Sequence, residues 1–551
     1  MWERPSAESD LIWNLCGGTV AAALFIAFVR QGWQRLAGSS TRPRHGLEVA
    51  SWLVGLVVMS FAWLWIVQEV APIESRLGKS PFVLYYASSS GYFTRARFDE
   101  PRAGPFLAGY EDLMRQGDVL HTGTHPPGLF LAFHGLIAAC ESSPALSALL
   151  DVTQPPSFRD ANDVISANNL RRHVPRPLLP LDRRVLWLAT VLVMLSGSMT
   201  VIPLYGLLRR TCSTGSAWIG AALWPALPAV AVFIPKADAM FPLMGLTLLW
   251  LWLNAWDRRS LVLALMAGAA TWIGLFCSLA FLPVLLVAAL LTRVSAWSFS
   301  ETTDESPLAS ADPSHSQPPI GTRRWLCVVA ASLGFLIPTL VLWQVARVNL
   351  LNVWWLNYRN HSGFYQQYSR TYWKWLLVNP LELAYAAGWP VALLATVACW
   401  SVLSRFRTGR SYERTNRATA IGSLVTWPML RASDLPTNLS ALCSNAQNAK
   451  NEDILKPELQ RRTNVGTAVI SIVIVWGLLW LTGKNSGEAA RLWILFLPWL
   501  VWLASIRIDE IVAHQSGVKS LERQILALLA IQFIVCLLTV ARVSGFHSEA
   551  V

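Results

Sequence analysis

The sequence predicts an all-α, polytopic membrane protein with about 12 transmembrane helices in one domain over residues 1–551. Hydrophobic residues make up 54% of the chain, charged residues only 14%, and the mean hydropathy is +0.40. Average soluble domains contain about 45–50% apolar and about 25% charged residues. The apolar surplus is gathered into blocks that are long enough to cross a bilayer, and short arginine clusters separate the blocks. Composition, block length and arginine placement therefore predict the same fold class.

Each predicted span is a block of about 20 mostly apolar residues. The blocks are 11–29, 50–70, 185–208, 217–234, 240–256, 260–277, 279–292, 325–345, 383–403, 467–483, 491–506 and 523–541. The tight pair 260–277 and 279–292 is compatible with two spans or with one broken helix. The block from Pro127 to Cys140 is too short to span, so we expect a juxtamembrane or re-entrant helix there.

Arginine clusters predict the orientation of the spans. They follow alternate blocks, for example at Arg30 and Arg35, at Arg209 and Arg210, and at Arg258 and Arg259. Loops rich in Lys and Arg stay on the cytoplasmic side, so the N-terminus and the intervening loops are predicted to lie outside. The predicted outer elements are a large loop at 71–183, a turn at 235–239, an aromatic loop at 346–382 and a turn at 484–491. Loop 71–183 also carries arginines, which is tolerated because long loops translocate largely regardless of charge.

The formal charge of +12 does not indicate nucleic-acid binding, because the basic residues are distributed among the loops between apolar blocks. Two of the cytoplasmic loops, 295–322 and 404–464, are polar and poor in aromatics. We expect both to be disordered, since neither can bury enough apolar surface to fold alone. The eight cysteines form no CxxC pair, so no zinc site is predicted.

The first outer loop holds most of the residues that could carry chemistry. Its acids are Asp99, Glu100, Glu111, Asp112 and Asp118. It ends in Thr124-His125-Pro126-Pro127-Gly128, directly before an apolar helix, and proline is well suited to a helix start. His125 is therefore either a helix-entry residue or a site residue. Asp99 and Glu100 lie between Arg97 and Arg102, so a solvated charge patch is the alternative for them.

Two further outer turns carry paired charges. Lys236 and Asp238 stand in the turn at 235–239, and Glu488 and Arg491 stand in the turn at 484–491. Each pair could be a local ion pair, and the three-residue spacing of Glu488 and Arg491 suits a salt bridge within one helical turn. The loop 346–382 is rich in Trp and Tyr, which stack on sugars but also collect at the surfaces of any membrane protein.

These segments, taken in order, resemble the GT-C superfamily of membrane glycosyltransferases, namely its protein O-mannosyltransferase-like and aminoarabinose-transferase-like members. The resemblance rests on an acid-bearing first outer loop followed by His-Pro-Pro-Gly, and it covers residues from about 50 to 506. It continues through Tyr205 to Arg210 (YGLLRR), through Ala221 to Pro228 leading up to Lys236-Ala237-Asp238, and through Gly487 to Trp493 (GEAARLW). Many relatives carry an Asp-Glu pair shortly before the aromatic residue that corresponds to Tyr92. Those positions are Ser88 and Ser89 here, so Asp99 and Glu100 are the nearest candidates.

The resemblance implies transfer of a glycosyl group, with inversion, from a polyprenyl-phosphate carrier to an acceptor on the extracytoplasmic side. It implies Asp99 or Glu100 as the base, Asp238 as a second acid, and Arg491 and Lys236 as ligands of the donor phosphate. His125, Glu488 and Tyr92 complete the expected substrate-binding residues. A carboxylate would take the proton of the acceptor, and cations would stabilise the leaving phosphate. It also implies an integral protein of the bacterial inner membrane with its active site facing outside.

The resemblance implies no cofactor. A divalent metal would be compatible with the reaction, but Arg and Lys alone can hold a single lipid phosphate. The expected partners are the polyprenyl-phosphate sugar and membrane lipid, and no nucleic acid. Three alternatives stay open: a transporter or flippase for a lipid-linked substrate, a ligase-type enzyme that transfers a whole glycan, and a membrane protein without a site. The transporter would need ionisable residues within the spans, whereas the candidate charges here gather in outer loops.

Overall fold

The structure is a computed structural model, and it describes residues 11–37, 46–72, 75–86, 89–117, 123–173, 178–300, 320–367, 370–407, 464–483, 488–514 and 518–546. Within these ranges every regular element is helical, as the sequence predicts. The helices are α1 Leu11–Ala37, α2 Gly46–Val70, α3 Lys79–Tyr85, α4 Tyr92–Thr94, α5 Ala103–Ala108, α6 Tyr110–Arg115, α7 Gly128–Ser142, α8 Pro144–Thr153, α9 Pro156–Arg171, α10 Pro180–Met199, α11 Val201–Leu208, α12 Thr214–Leu223, α13 Pro228–Val232, α14 Phe241–Arg258, α15 Leu261–Cys277, α16 Leu282–Ser300, α17 Ile320–Ala346, α18 Leu350–Gln367, α19 Tyr372–Ala387, α20 Trp389–Arg407, α21 Asn464–Leu481, α22 Ala489–Leu492, α23 Leu497–His514 and α24 Val518–Val540.

Seven of the described helical stretches are long and apolar enough to cross a membrane, and this indicates an integral membrane protein. They are Ile12–Ala37, Gly46–Val70, Pro180–Leu208, Ala237–Arg258, Arg324–Ala346, Asn464–Leu481 and Lys519–Val540. Two bent pairs, α7 with α8 and α19 with α20, raise the number to nine if each pair is one span. The prediction of about 12 spans is therefore not confirmed, because several predicted blocks form shorter or broken helices. Among these, 260–277 and 279–292 form the shorter apolar helices Leu261–Cys277 and Leu279–Thr292, separated at Ser278.

The predicted span 217–234 is broken in the middle of the protein. Helix α12 passes into a 3-10 turn at Trp224–Ala226, Leu227 is extended, and the short helix α13 follows. All residues from 215 to 236 are buried, so this block is apolar because it forms the core rather than because it faces lipid. Side chains from other helices bond the carbonyl groups that the break exposes: Trp63 Nε1 donates to Pro225 at 3.0 Å, Gln532 Nε2 to Ala226 at 3.0 Å, Gln68 Nε2 to Ala231 at 2.7 Å and Lys79 Nζ to Val232 at 3.1 Å.

The bundle has two distinct ends. Helix α14 starts next to Asp238 and finishes beside Asp257, and its 18 residues separate the two by about 27 Å. Arg210 pairs with Asp257, and the N–H of Ser213, three residues after Arg210, donates a hydrogen bond to Asp509 at 2.9 Å. We name this the Arg210 end. The opposite end carries the candidate residues described below, and we name it the Arg491 end.

The outer-loop region after α2 forms short helices rather than an extended loop. Helices α3 to α9 cover most of the described part of 71–183, and α18 with α19 cover most of 346–382. The predicted disordered segments 295–322 and 404–464 lie mainly outside the described residues, although α16 continues to Ser300, α17 begins at Ile320 and α20 ends at Arg407. Asp118 also lies outside the described residues.

Candidate functional site

Four charged residues and a tyrosine, from three distant parts of the sequence, meet at the Arg491 end. The Arg491 guanidinium lies 2.5 Å from the Glu488 carboxylate through Nη2 and 4.0 Å from the Asp238 carboxylate through Nε. Lys236 interacts electrostatically with all three of these groups, and the Tyr92 hydroxyl with Asp238 and Arg491. We call these five residues the Arg491 cluster. The structure thus brings together five of the residues that the sequence nominates.

The first half of the cluster comes from the turn between α13 and α14. Lys236 and Asp238 follow the broken helix directly, at the start of the 3-10 turn that leads into α14. The Lys236 ammonium donates a hydrogen bond to the Ser89 carbonyl and stands 6.0 Å from the ring of Phe546. Asp238 therefore pairs with Arg491 across the cluster, while Lys236 bonds the backbone of the first outer region.

The second half comes from the turn before α23. Arg491 lies on the four-residue helix α22, which the 3-10 turn Ile494–Phe496 connects to α23. The Arg491 side chain is 18% exposed, and its Nε atom is buried without a hydrogen-bond partner among the described residues. The local salt bridge to Glu488 that the spacing predicts is present, but Asp238 faces the same guanidinium. Arg491 thus retains an unused buried donor beside two carboxylates.

Burial changes the acidity of two groups of the cluster. Desolvation lowers the pKa of Lys236 to about 7, and the neighbouring Arg491 adds to this, while Asp238 and Glu488 act in the opposite direction. Burial also raises the pKa of the Tyr92 hydroxyl, and the Asp238 carboxylate contributes to this effect. Lys236 is therefore a cation that can lose its proton near neutral pH, and Tyr92 is a neutral hydroxyl that can donate a hydrogen bond.

His125 stands next to the cluster at the start of α7. Its ring is 5.8 Å from the Tyr92 ring in an edge-on arrangement, and its Nδ1 lies 3.0 Å from the Thr124 hydroxyl. The His125 carbonyl accepts hydrogen bonds from the Tyr110 hydroxyl at 2.6 Å and from the Asn357 amide at 3.2 Å. His125 thus lies three residues before the start of α7, and its ring also lies beside a residue of the cluster.

Asp99 and Glu100 belong to a second polar group. Arg95 lies 3.8 Å from Asp99 and 4.0 Å from Glu100, and all three side chains are partly exposed. Arg95 to Asp99 form a single π-helical turn, a conformation that is frequent at functional sites. Arg97 of the same turn forms an ion pair at 2.6 Å with Asp182, which is fully buried at the start of α10. The turn that carries the two predicted bases is therefore fixed to the bundle.

Aromatic rings connect the second polar group with the Arg491 cluster. Phe130 lies 4.9 Å from Tyr92 and 6.3 Å from Tyr110, and Phe106 stands 5.1 Å from Tyr110. Tyr110 interacts electrostatically with both Tyr92 and Arg95. Tyr92, Phe106, Tyr110 and Phe130 thus form one buried group of rings, which we call the aromatic wall, and it interacts with both groups of charges.

An apolar cavity of about 440 Å³ opens between helices α14, α15, α16 and α17. Its lining includes Leu275, Trp252 and Phe335. Leu275 is two residues from Cys277, whose sulfur packs against Gly128 at the start of α7 and which interacts electrostatically with Tyr92. The Leu275 side of the cavity therefore lies towards the end of α15 that approaches Tyr92.

Four residues that shape this region are not among the site residues predicted from the sequence. Glu382 of α19 bonds the backbone of α22, Arg95 pairs with both predicted bases, Asp182 anchors the π-helical turn, and Tyr110 bonds the His125 carbonyl. Each partner is remote in sequence except for Arg95, where the four-residue spacing to Asp99 was a usable signal. Among the described residues, no group of three or more His, Cys, Asp or Glu side chains is arranged to hold a metal ion.

Neither a family model nor a curated protein matches this chain.

Proposed function

We propose that the protein is a membrane glycosyltransferase that takes a sugar from a polyprenyl-phosphate carrier and passes it to an acceptor on the extracytoplasmic side. The observation that carries the proposal is the Arg491 cluster, above all the buried Nε of Arg491, which makes no hydrogen bond although Asp238 lies 4.0 Å away. A buried donor without a partner is costly in a folded protein, and a ligand oxygen would satisfy it. Phosphate oxygens suit a guanidinium because they accept charge-assisted hydrogen bonds.

A lipid carrier accounts for the position of the apolar cavity. The phosphate would bind Arg491 and Lys236, and the cavity, whose lining includes Leu275 near the end of α15, offers an apolar surface for the lipid chain. The sugar would then lie beside Tyr92, whose neutral hydroxyl can donate a hydrogen bond to it.

The second polar group supplies the carboxylates for transfer. Asp99 or Glu100 would accept the proton of an acceptor hydroxyl while its oxygen attacks C1 of the sugar. The bond from C1 to the phosphate oxygen would break on the opposite side, and the polyprenyl phosphate would leave with its charge stabilised by Arg491. Asp238, which faces Arg491, would orient that guanidinium as the second acid. In this proposal the Arg491 cluster binds the phosphate and the second polar group takes the proton.

The test uses the full chain in nanodiscs with a radiolabelled farnesyl-phosphate hexose. Wild type should bind the donor, and Arg491→Gln should bind about 10- to 100-fold more weakly, because a hydrogen bond to a charged group contributes about 1.5–3 kcal/mol. Arg210→Gln is the matched control, since Arg210 pairs with Asp257 at the other end of the bundle. Equal affinity of wild type and Arg491→Gln would refute the proposed phosphate site.

The base is tested by turnover with a membrane extract as the source of acceptor. Asp99→Asn combined with Glu100→Gln should abolish transfer of label while donor binding persists. The loss of general-base help is expected to slow transfer about 10²- to 10⁴-fold. Unchanged turnover in this double variant would exclude both carboxylates as the base.

The transporter alternative has one specific observation in its favour. Broken helices border the cluster on two sides, at Trp224–Val232 and at Ala489–Phe496, and discontinuous helices are typical of transporter binding sites. The same nanodisc preparation, reconstituted into vesicles, distinguishes the two functions. Movement of labelled lipid between leaflets without any transfer of sugar would favour the transporter.

A further inference from the structure

The helix that carries Arg491 is held from outside by a carboxylate of another helix. Helix α22 has only four residues, so the N–H groups at its start have no partners within the helix. Glu382 of α19 reaches them: its Oε1 accepts a hydrogen bond from the Ala490 N–H at 3.1 Å, and its carboxylate also bonds the Ala489 N–H. These two residues directly precede Arg491. Glu382 is only 8% exposed, so protein groups rather than water solvate its carboxylate.

Hydrogen bonds fix helix α19 to its neighbours at three points along its length. Pro380 cannot donate to the Leu376 carbonyl four residues earlier, and the Trp480 indole donates to that carbonyl instead, at 2.8 Å. The Tyr372 hydroxyl donates to the Leu481 carbonyl at 2.7 Å. At the other end, the Gln532 amide donates to the Ala387 carbonyl at 2.9 Å. Glu382 therefore projects from a helix that is connected to both α21 and α24.

Helix α22 depends on such support. A helix of one turn is unstable alone, because nucleation fixes several residues for very few hydrogen bonds. Its orientation decides where the Arg491 guanidinium points relative to Asp238, which lies 4.0 Å away on a different helix. A displacement of about 1 Å at such a site can cost a large part of its function. The carboxylate of Glu382 thus acts on Arg491 through the backbone.

We propose that Glu382 is a positioning residue that orients Arg491 for binding of the lipid phosphate. The inference rests on the proposed function for the identity of the ligand and on the Glu382 contacts for the mechanism. It assigns to Glu382 the role of hydrogen-bond acceptor rather than that of a counter-charge for Arg491. A glutamine keeps an acceptor oxygen at the same reach, an aspartate withdraws it by one methylene, and an alanine removes it.

The first measurement is the affinity for farnesyl phosphate in nanodiscs. We expect Glu382→Gln to bind within about threefold of wild type, and Glu382→Ala and Glu382→Asp to bind about tenfold more weakly or worse. Glu69→Ala is the control, because Glu69 is also a partly buried carboxylate but bonds Ser157 far along the chain from Arg491. If Glu382→Gln binds farnesyl phosphate weakly while Glu382→Asp binds it as wild type does, the acceptor role is overturned.

The second measurement is hydrogen exchange of the peptide that contains 488–493, without ligand. Loss of the acceptor should accelerate exchange at Ala489 and Ala490 in Glu382→Ala, and Glu382→Gln should restore protection. Unchanged exchange in Glu382→Ala overturns the inference, whether or not any ligand binds.

If wild type does not bind farnesyl phosphate, or binds it independently of Arg491, the proposed function fails while the exchange result still decides on the Glu382 contacts. If binding depends on Arg491 but Glu382→Ala and Glu382→Asp bind normally, the inference fails alone.

Discussion

Arg491 is already engaged in the structure, and this has a consequence for any ligand. Its Nη2 contacts Glu488 at 2.5 Å, whereas Asp238 is at 4.0 Å from Nε. A phosphate that binds the free Nε would lie close to the Glu488 carboxylate on Nη2, and the two anions would repel each other. Glu488 therefore competes with the proposed ligand, and its removal should help binding.

We expect Glu488→Gln to bind farnesyl phosphate about threefold to tenfold more tightly than wild type, because the guanidinium is freed from a competing charge. Isothermal titration in nanodiscs measures this directly. Glu510→Gln is the control, since Glu510 contacts Arg507 at 2.8 Å with the same three-residue spacing. Weaker binding by Glu488→Gln would instead make Glu488 part of the support of Arg491.

Lys236 makes the affinity for the donor dependent on pH. Burial lowers its pKa to about 7, so the side chain is a cation below that pH and neutral above it. A phosphodiester donor keeps a fixed single charge across this range, so only the protein titrates. Affinity should therefore fall about tenfold between pH 6 and pH 8.

The variants Lys236→Arg and Lys236→Met separate this effect from other titrations. Arginine stays charged at both pH values and methionine is never charged, so both should give flat profiles between pH 6 and pH 8. The arginine variant should bind more tightly than the methionine variant at pH 8. A pH dependence that survives in both variants would assign the titration to another group.

The sequence identified which residues are charged at the Arg491 end but not how they are supported. Lys236, Asp238, Glu488 and Arg491 were recognisable because each interrupts or borders an apolar block. Glu382 borders a block in the same way, but its partners are backbone N–H groups 108 residues away, and a backbone amide leaves no trace in side-chain patterns. Contacts of that kind require the fold.

At the scale of the elements, α15 and α17 pack so closely that glycine is required where they cross. A Cβ on Gly268 would collide with the Ala331 carbonyl, and a Cβ on Gly334 with the Leu265 carbonyl. Backbone cannot yield as a flexible side chain does, so even a methyl group must push the two helices apart. These helices also line the apolar cavity, which couples their packing to its shape.

Gly268→Ala should therefore destabilise the protein by about 1–3 kcal/mol, which is the usual cost of overpacking a close contact. The matched control is Gly477→Ala in α21, where a Cβ would meet nothing within 4 Å and should be neutral or slightly stabilising. Thermal unfolding of both variants in detergent gives the comparison. Equal melting temperatures would show that α15 and α17 can separate without cost.

Block length predicted helices well and spans less well, and the block 217–234 shows why. Hydropathy measures how apolar a segment is, but a segment buried in protein and a segment facing lipid are equally apolar. Pro225 and Pro228 in this block were visible signs of a break. The side chains that make the break tolerable, such as Gln68 and Gln532, come from helices far apart in sequence and could not be assigned beforehand.

At the scale of the whole molecule, the two ends of the bundle differ in a way that bears on orientation. Arginines that follow the spans, among them Arg210 and Arg258, gather at the Arg210 end, where α11 and α14 finish. The Arg491 end also carries arginines, but several of these pair with nearby acids, as Arg97 does with Asp182 and Arg184 with Asp151. Short loops rich in Lys and Arg stay on the cytoplasmic side of the membrane. The Arg210 end is therefore expected to be cytoplasmic and the Arg491 end to face outside.

Cysteine labelling in intact cells tests this orientation. Asp112, 78% exposed near the Arg491 end, and Asp257, 52% exposed at the Arg210 end, are replaced singly by cysteine. The background carries serine at the exposed Cys16 and at Cys443, which lies outside the described residues. Both acids are in surface ion pairs that contribute at most about 1 kcal/mol, so neither change should disturb the fold.

Asp112→Cys should react with a membrane-impermeant maleimide in whole cells, and Asp257→Cys only after permeabilisation. The reverse pattern would turn the Arg491 cluster towards the cytoplasm, where an extracytoplasmic acceptor could not reach it, and the proposed transfer would fail even if the cluster binds a lipid phosphate.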